Sequence, residues 1–168
     1  MIQKKVCMIG TFAVGKTSLV RRFVESIYSD KYHTTVGVKV DKKIVKVAAQ
    51  EMTLLLWDIE GSDSEHELRK SYLRGASGYL LVADGTRSDT LYKALALQAR
   101  AEEAVGSAPF LLLLNKADLA QSWQISDREL AALREKKWEV ISTSAKTGQG
   151  VEEAFLSLAE KMTEEHNG

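Results

Sequence analysis

Nine residues near the start of the chain, G-T-F-A-V-G-K-T-S from Gly10 to Ser18, carry the densest chemistry in the sequence. The spacing of Gly10, Gly15, Lys16 and Thr17 is that of a phosphate-binding loop: a glycine, four residues, then Gly-Lys-Ser/Thr. Glycines at 10 and 15 admit backbone angles that turn successive N–H groups toward phosphate oxygens. The Lys16 ammonium can reach β- and γ-phosphates, and the Thr17 hydroxyl is a hard oxygen ligand for Mg²⁺. The bland alternative is a glycine-containing turn. An apolar run before the loop and a helical pattern after it, whose N-terminal end favours anions, are the context the phosphate reading requires.

Three more polar stretches follow apolar runs. Asp58 closes Thr53–Trp57, N-K-A-D at 115–118 follows Phe110–Leu114, and S-A-K at 144–146 follows Trp138–Ile141. Two carboxylate oxygens on Asp118 match the N1–H and exocyclic amino donors of guanine. Adenine has an acceptor at N1 and no 2-amino group, so a buried carboxylate left unpaired would reject it. Asn115 can brace neighbouring loops, the Lys116 stem can lie across a base, and the Ala145 N–H can donate to the guanine oxygen. Taken singly, N-K-A-D is an ordinary loop composition. A P-loop kinase is the competing enzyme class, disfavoured because no lid for a second substrate is evident.

These loops need a scaffold that brings strand ends together. Val6–Ile9 is a short buried strand. Leu19, Val20, Phe23, Val24 and Ile27 recur at helical spacing, and residues 28–37 read as a long polar loop. Val38–Val47 and Thr53–Trp57 form a hairpin across A-A-Q-E, hence an antiparallel pair. A polar segment then leads into a helix ending near Gly75. Next come a strand over 79–83, a helix over 88–105, a strand over 110–114, and a helix started by Ser126 with Glu129 as its capping-box partner. A last strand over 138–141 precedes a helix from Val151 to Met162 that turns Val151, Ala154, Phe155, Leu158, Ala159 and Met162 inward. Six strands alternating with five helices imply an α/β three-layer sandwich, mostly parallel with one antiparallel edge strand. Residues 1–168 are expected to form one domain. In such sheets ligands bind at the carboxyl ends of the strands.

Composition narrows the class further. Lys plus Arg and Asp plus Glu each number 23, so no basic excess suggests nucleic acid. The lone Cys7 lies in an apolar run and fits a reducing, cytoplasmic compartment. No stretch approaches about 18 apolar residues, and M-I-Q-K-K lacks a signal-peptide pattern. Residue 2 is Ile2 and the last residues are E-E-H-N-G, so a membrane would be reached only indirectly or through a tail absent from this stretch. His33, His66 and His166 lack ligand spacing.

Five motifs in this order, covering essentially the whole chain, resemble a small GTPase of the Ras superfamily. Y-H-T-T-V-G-V at 32–38, L-W-D at 56–58 and Y-L-R-G-A-S-G-Y at 72–79 are most similar to the Rab branch. The resemblance implies a P-loop NTPase fold and GTP, GDP and Mg²⁺ as ligands. It implies nucleotide contacts from Ala13, Val14, Gly15, Lys16, Thr17, Ser18, Tyr28, Thr35, Gly61, Asn115, Lys116, Asp118, Ser144, Ala145 and Lys146. Mg²⁺ would be held by Thr17, by Thr35 and, through water, by Asp58. Lys16, Thr35 and Gly61 would serve the γ-phosphate, although T-T at 34–35 leaves the register open by one residue. Tyr28 stands where the family packs an aromatic ring on guanine; packing under the first helix is the alternative. A monomer is expected, meeting effectors, exchange factors and activating proteins through residues 28–38 and 59–75.

Two positions depart from that pattern. W-D-I-E-G-S-D at 57–63 replaces the family's W-D-T-A-G-Q-E, so Ser62 stands where a glutamine positions the attacking water. Phe12 occupies a place where relatives carry small residues, and its ring would either obstruct a partner's arginine or turn outward onto the second switch. Glu60, Asp63, Glu65 and His66 are candidates for orienting water instead. Two functions follow: a guanine-nucleotide switch with slow hydrolysis, or a non-cycling binding module that holds its nucleotide.

Overall fold

The computed structural model describes residues 2–26, 28, 37–59, 61 and 69–167. Among these, six strands form one sheet: β1 Ile2–Ile9, β2 Val38–Val47, β3 Gln50–Ile59, β4 Gly78–Asp84, β5 Phe110–Asn115 and β6 Val140–Ser142. Their spatial order is β2-β3-β1-β4-β5-β6. β1 runs parallel to β3 and β4, β4 to β5 and β5 to β6, whereas β2 is antiparallel to β3 at the edge. The helices are α1 Lys16–Glu25, α2 Lys70–Leu73, α3 Ser88–Val105, α4 Asp127–Glu135 and α5 Val151–Asn167, with a short 3-10 helix at Ala117–Ser122. The expected three-layer P-loop architecture is the one found.

Two apolar layers explain why these segments take these forms. Every residue of β4 is buried, as a strand clad by helices on both faces must be. Along β1 the pleat sends Val6 and Met8 to one face, with α1 and α5, and Cys7 and Ile9 to the other, with α3 and Leu73. All six residues expected to face inward from α5 are buried, and Phe155 stacks on Phe23 of α1 with ring centroids 4.1 Å apart. β1 begins four residues earlier than its apolar run because Ile2 to Met8 pair with Met52 to Asp58 of β3, so backbone pairing carries Gln3, Lys4 and Lys5 into the strand. Trp57 is half-buried on β3 beneath the Lys5 ammonium, 3.6 Å from its ring centroid.

β1 is where the chain's crossovers change direction, to β3 on one side and β4 on the other. That is the switch point at which sheets of this class open a crevice. Because β1, β3, β4, β5 and β6 are mutually parallel, Ile9, Ile59, Asp84, Asn115 and Ser142 end at the same edge.

Candidate functional site

The loop from Gly10 to Ser18 leaves β1 and is shaped by two glycines. A Cβ on Gly10 would sit 2.6 Å from the Val82 carbonyl oxygen, so only glycine lets the loop pass this close to β4. Gly15 has φ of 101°, a left-handed conformation, and a Cβ there would overlap the Asn115 amide nitrogen. The close approach allows Asn115 Nδ2 to donate to the Val14 carbonyl at 2.9 Å, while Asn115 Oδ1 accepts from Thr143 Oγ1 at 3.1 Å. Buried Asn115 therefore ties the glycine loop to the segment after β6, the bracing role expected of it.

Lys16 is 6% exposed, and its ammonium donates to the carbonyls of Gly10 at 2.9 Å and Thr11 at 3.0 Å. Burial pushes its pKa down to about 8, and the nearby Asp58 carboxylate opposes the shift. Thr17 Oγ1 donates to Asp58 Oδ2 at 2.6 Å, so the side chain after Lys16 meets the carboxylate that ends the neighbouring strand. A hydroxyl and a carboxylate gathered beside a lysine are the hard oxygen donors a Mg²⁺ ion takes. The donor set fits the ion. Gly61 lies against this loop too, since a Cβ on it would be 2.9 Å from backbone atoms of Thr11 and Phe12.

On the far side of Asn115, a cavity of about 180 Å³ is lined by Gly15, Ser18, Tyr28, Asn115, Lys116, Asp118, Leu119, Ala145 and Lys146. Ser144, fully buried, donates from Oγ to Asp118 Oδ1 at 2.8 Å and accepts from the Thr147 N–H at 3.1 Å. The serine thus fixes the carboxylate while its own oxygen closes the turn. Tyr28 is among the residues at this cavity. Eight of the residues expected to contact a nucleotide, or nine with Ser144 behind Asp118, surround one volume. Thr35 and Ser62, with Glu60, Asp63, Glu65, His66 and His33, lie outside the described residues. Phe12 is 38% exposed, and its carbonyl accepts from Arg87 Nη2 at 2.9 Å.

Sequence reasoning passed over three contributors. Asp84 at the end of β4 accepts from Lys116, Trp123 Nε1 donates to the Lys116 carbonyl at 3.0 Å, and Thr143 holds Asn115. Asp84 closes an apolar strand as Asp58 does, which was the available signal. Gly85 admits Trp123, since a Cβ there would collide with the indole ring.

The pattern of the Ras family matches residues 5–164. Ras-related protein Rab-4A of Mus musculus is 34% identical over 161 residues, which is 94% of this chain and 73% of that protein. Rab-4A of Rattus norvegicus and of Homo sapiens match to the same extent. No helix among the described residues is long and apolar enough to cross a membrane. With the fold, the converging loops and these relatives together, the chain belongs to the Ras family of small GTPases, near its Rab branch, and is in general terms a GTP-binding switch.

Proposed function

We propose that this chain binds GTP and GDP with Mg²⁺ at the edge described above, hydrolyses GTP slowly, and exposes different surfaces to partners in the two states. The observation that carries the reading is Asp118, fixed by Ser144 at the 180 Å³ cavity that Gly15 and Ser18 also line. Base recognition and phosphate recognition then meet across one residue, Asn115. Guanine takes the Asp118 carboxylate with its N1–H and 2-amino group, Tyr28 and the Lys116 stem flank the base, and the Ala145 N–H and Lys146 close its rim. N–H groups from Ala13 to Ser18 and the Lys16 ammonium hold the phosphates. Thr17, Asp58 through water, and Thr35 are the ligands proposed for Mg²⁺, which supplies charge neutralisation between the β- and γ-phosphates when bound. Gly61 and Thr35 serve the γ-phosphate, and Ser62 replaces the glutamine that would position water.

Partners that respond to the nucleotide state engage residues 28–38 and 59–75, in membrane traffic or signalling, from a cytoplasmic location. Displacement of fluorescent GDP tests the reading: GTP and GDP compete and ATP does not, and ATP competing as well as GTP overturns it. A second arm probes Asp118 directly. Xanthine carries a carbonyl where guanine has the 2-amino group, so Asp118→Asn, whose amide can donate to that carbonyl, shifts preference from GDP to xanthosine diphosphate by at least about 100-fold.

A further inference from the structure

Asp84 is fully buried, yet it accepts from four donors. The Thr86 N–H and Oγ1 take Oδ1 at 2.8 and 2.7 Å, while Arg87 Nε and Lys116 Nζ take Oδ2 at 3.0 and 2.8 Å. The two donors on Oδ2 come from opposite ends of the site. Lys116 belongs to the loop that surrounds the base cavity. Arg87 reaches the other way, and its Nη2 donates to the Phe12 carbonyl in the glycine loop at 2.9 Å. One carboxylate oxygen is therefore the point where a cation from the base loop and a cation gripping the phosphate loop meet.

Backbone conformation indicates what the junction does. Ala13, immediately after the gripped carbonyl, has φ of 59°, and Lys116 has φ of 70°. Residues with a Cβ enter the left-handed region at a cost and stay there when surrounding contacts hold them. Arg87 supplies such a contact before Ala13. Around Lys116 there are two: Asp84 on its ammonium and Trp123 on its carbonyl. Arg87 and Lys116 are themselves partly exposed, but the acceptor they share is buried, and charge-assisted hydrogen bonds are the stronger kind, so each arm stiffens its loop and each depends on the same acceptor.

We infer that Asp84 is a positioning residue that couples the phosphate end of the nucleotide seat to its base end, with Arg87 and Lys116 as its two arms. The inference rests on the nucleotide reading above and deepens it. It is tested by stopped-flow release of fluorescent GDP and by the ratio of GDP to inosine diphosphate affinity, the latter nucleotide lacking the 2-amino group. Retention of GDP by the parent chain tests the underlying reading; the variants test the coupling.

Asp84→Asn is expected to speed GDP release by about tenfold or more and to lower the GDP-to-inosine-diphosphate ratio. Arg87→Ala is expected to speed release while leaving that ratio within twofold of the parent. The double variant releases GDP no faster than Asp84→Asn alone, because Arg87 acts through the carboxylate already lost. A purely structural carboxylate would lower the thermal midpoint without moving the base ratio. Release within twofold of the parent, an unchanged base ratio in Asp84→Asn, or multiplicative effects in the double variant would each overturn the coupling. If Asp84→Asn does not fold, the cycle of Arg87→Ala with Lys116→Ala replaces it. Non-multiplicative release rates then support a shared acceptor, and multiplicative rates refute one.

Discussion

Ser144 leaves one oxygen of Asp118 engaged and the carboxylate held in one orientation, which is how a single side chain can discriminate bases. Asp84 shows the same economy with a measurable acid limb. Burial alone raises its pKa, but hydrogen bonds from Lys116, Thr86 and Arg87 more than offset this and hold it below its ordinary value of 3.8. A carboxyl depressed in the folded state stabilises fully above its unfolded value and loses that contribution as pH falls through the folded one. Urea unfolding of the nucleotide-free chain should therefore show no loss from Asp84 between pH 7 and 5 and a decline below about pH 4. Asp84→Asn should start less stable at pH 7 and decline less steeply below pH 4; parallel curves would contradict the assignment. Asp118, Asn115 and Lys16 were legible in the sequence because each sits in a polar run directly after or within a recognisable spacing. Asp84 and Trp123 were not, because what matters about them is who they meet: Lys116 lies 32 positions from Asp84 along the chain, and only the parallel pairing of β4 with β5 brings the two together.

In the elements, too, local determinants separate from long-range ones. Ser126 and Glu129 make both halves of the expected capping box, with Ser126 Oγ accepting from the Glu129 N–H at 3.2 Å and Glu129 Oε1 accepting from the Ser126 N–H at 3.1 Å. A cap of this kind is local, so four residues suffice to specify it. Ser126→Ala should cost about 1 kcal/mol in urea unfolding, and no change would mean that α4 frays regardless. The hairpin between β2 and β3 was expected, but its turn is shorter than the A-A-Q-E segment suggested. Ala48 and Ala49 alone form it, with φ of 51° and 66°, and Gln50 already pairs with Val47. Two-residue hairpins want positive φ at both positions and usually use asparagine and glycine. Alanine carries no signal for that geometry, and pairing over ten registered positions imposes it. Ala49→Gly should thus raise stability by about 0.5 to 1 kcal/mol, the steric relief exceeding the added chain entropy. A lowered urea midpoint would show that the alanine turn is unstrained.

At the scale of the molecule, alternation of strand and helix made the sheet legible but not its order. Which strand lies next to β1 depends on the crossovers that send the chain to β3 on one side and to β4 on the other, and these leave no mark in hydrophobic period. The convergence of four loops followed from parallelism alone, and it bears on the choice between switch and static holder. Gly61 rests on the backbone of Thr11 and Phe12, so this residue, two positions beyond β3, touches the glycine loop at the position proposed for the γ-phosphate. A γ-phosphate there must either displace this contact or be gripped by it, and its loss on hydrolysis reverses the choice. Hydrogen exchange in residues 28–38 and 59–70 should consequently slow by at least about tenfold when a non-hydrolysable GTP analogue replaces GDP. Equal protection in the two states would favour the non-cycling module. Turnover is the complementary measurement. Ser62 is shorter than a glutamine by roughly 2 to 3 Å at full extension, and Phe12, exposed and held at its carbonyl by Arg87, is the bulky glycine-loop residue proposed to obstruct an external arginine. Single-turnover hydrolysis should run below the roughly 10⁻⁴ per second typical of the unaided class, and Ser62→Gln should raise it by about tenfold or more without altering GDP release. Hydrolysis at the ordinary rate in the parent chain would mean that another group positions the water. If Ser62→Gln raised nothing, the limit would instead lie in the glycine loop itself, where Phe12→Gly is the next substitution to measure.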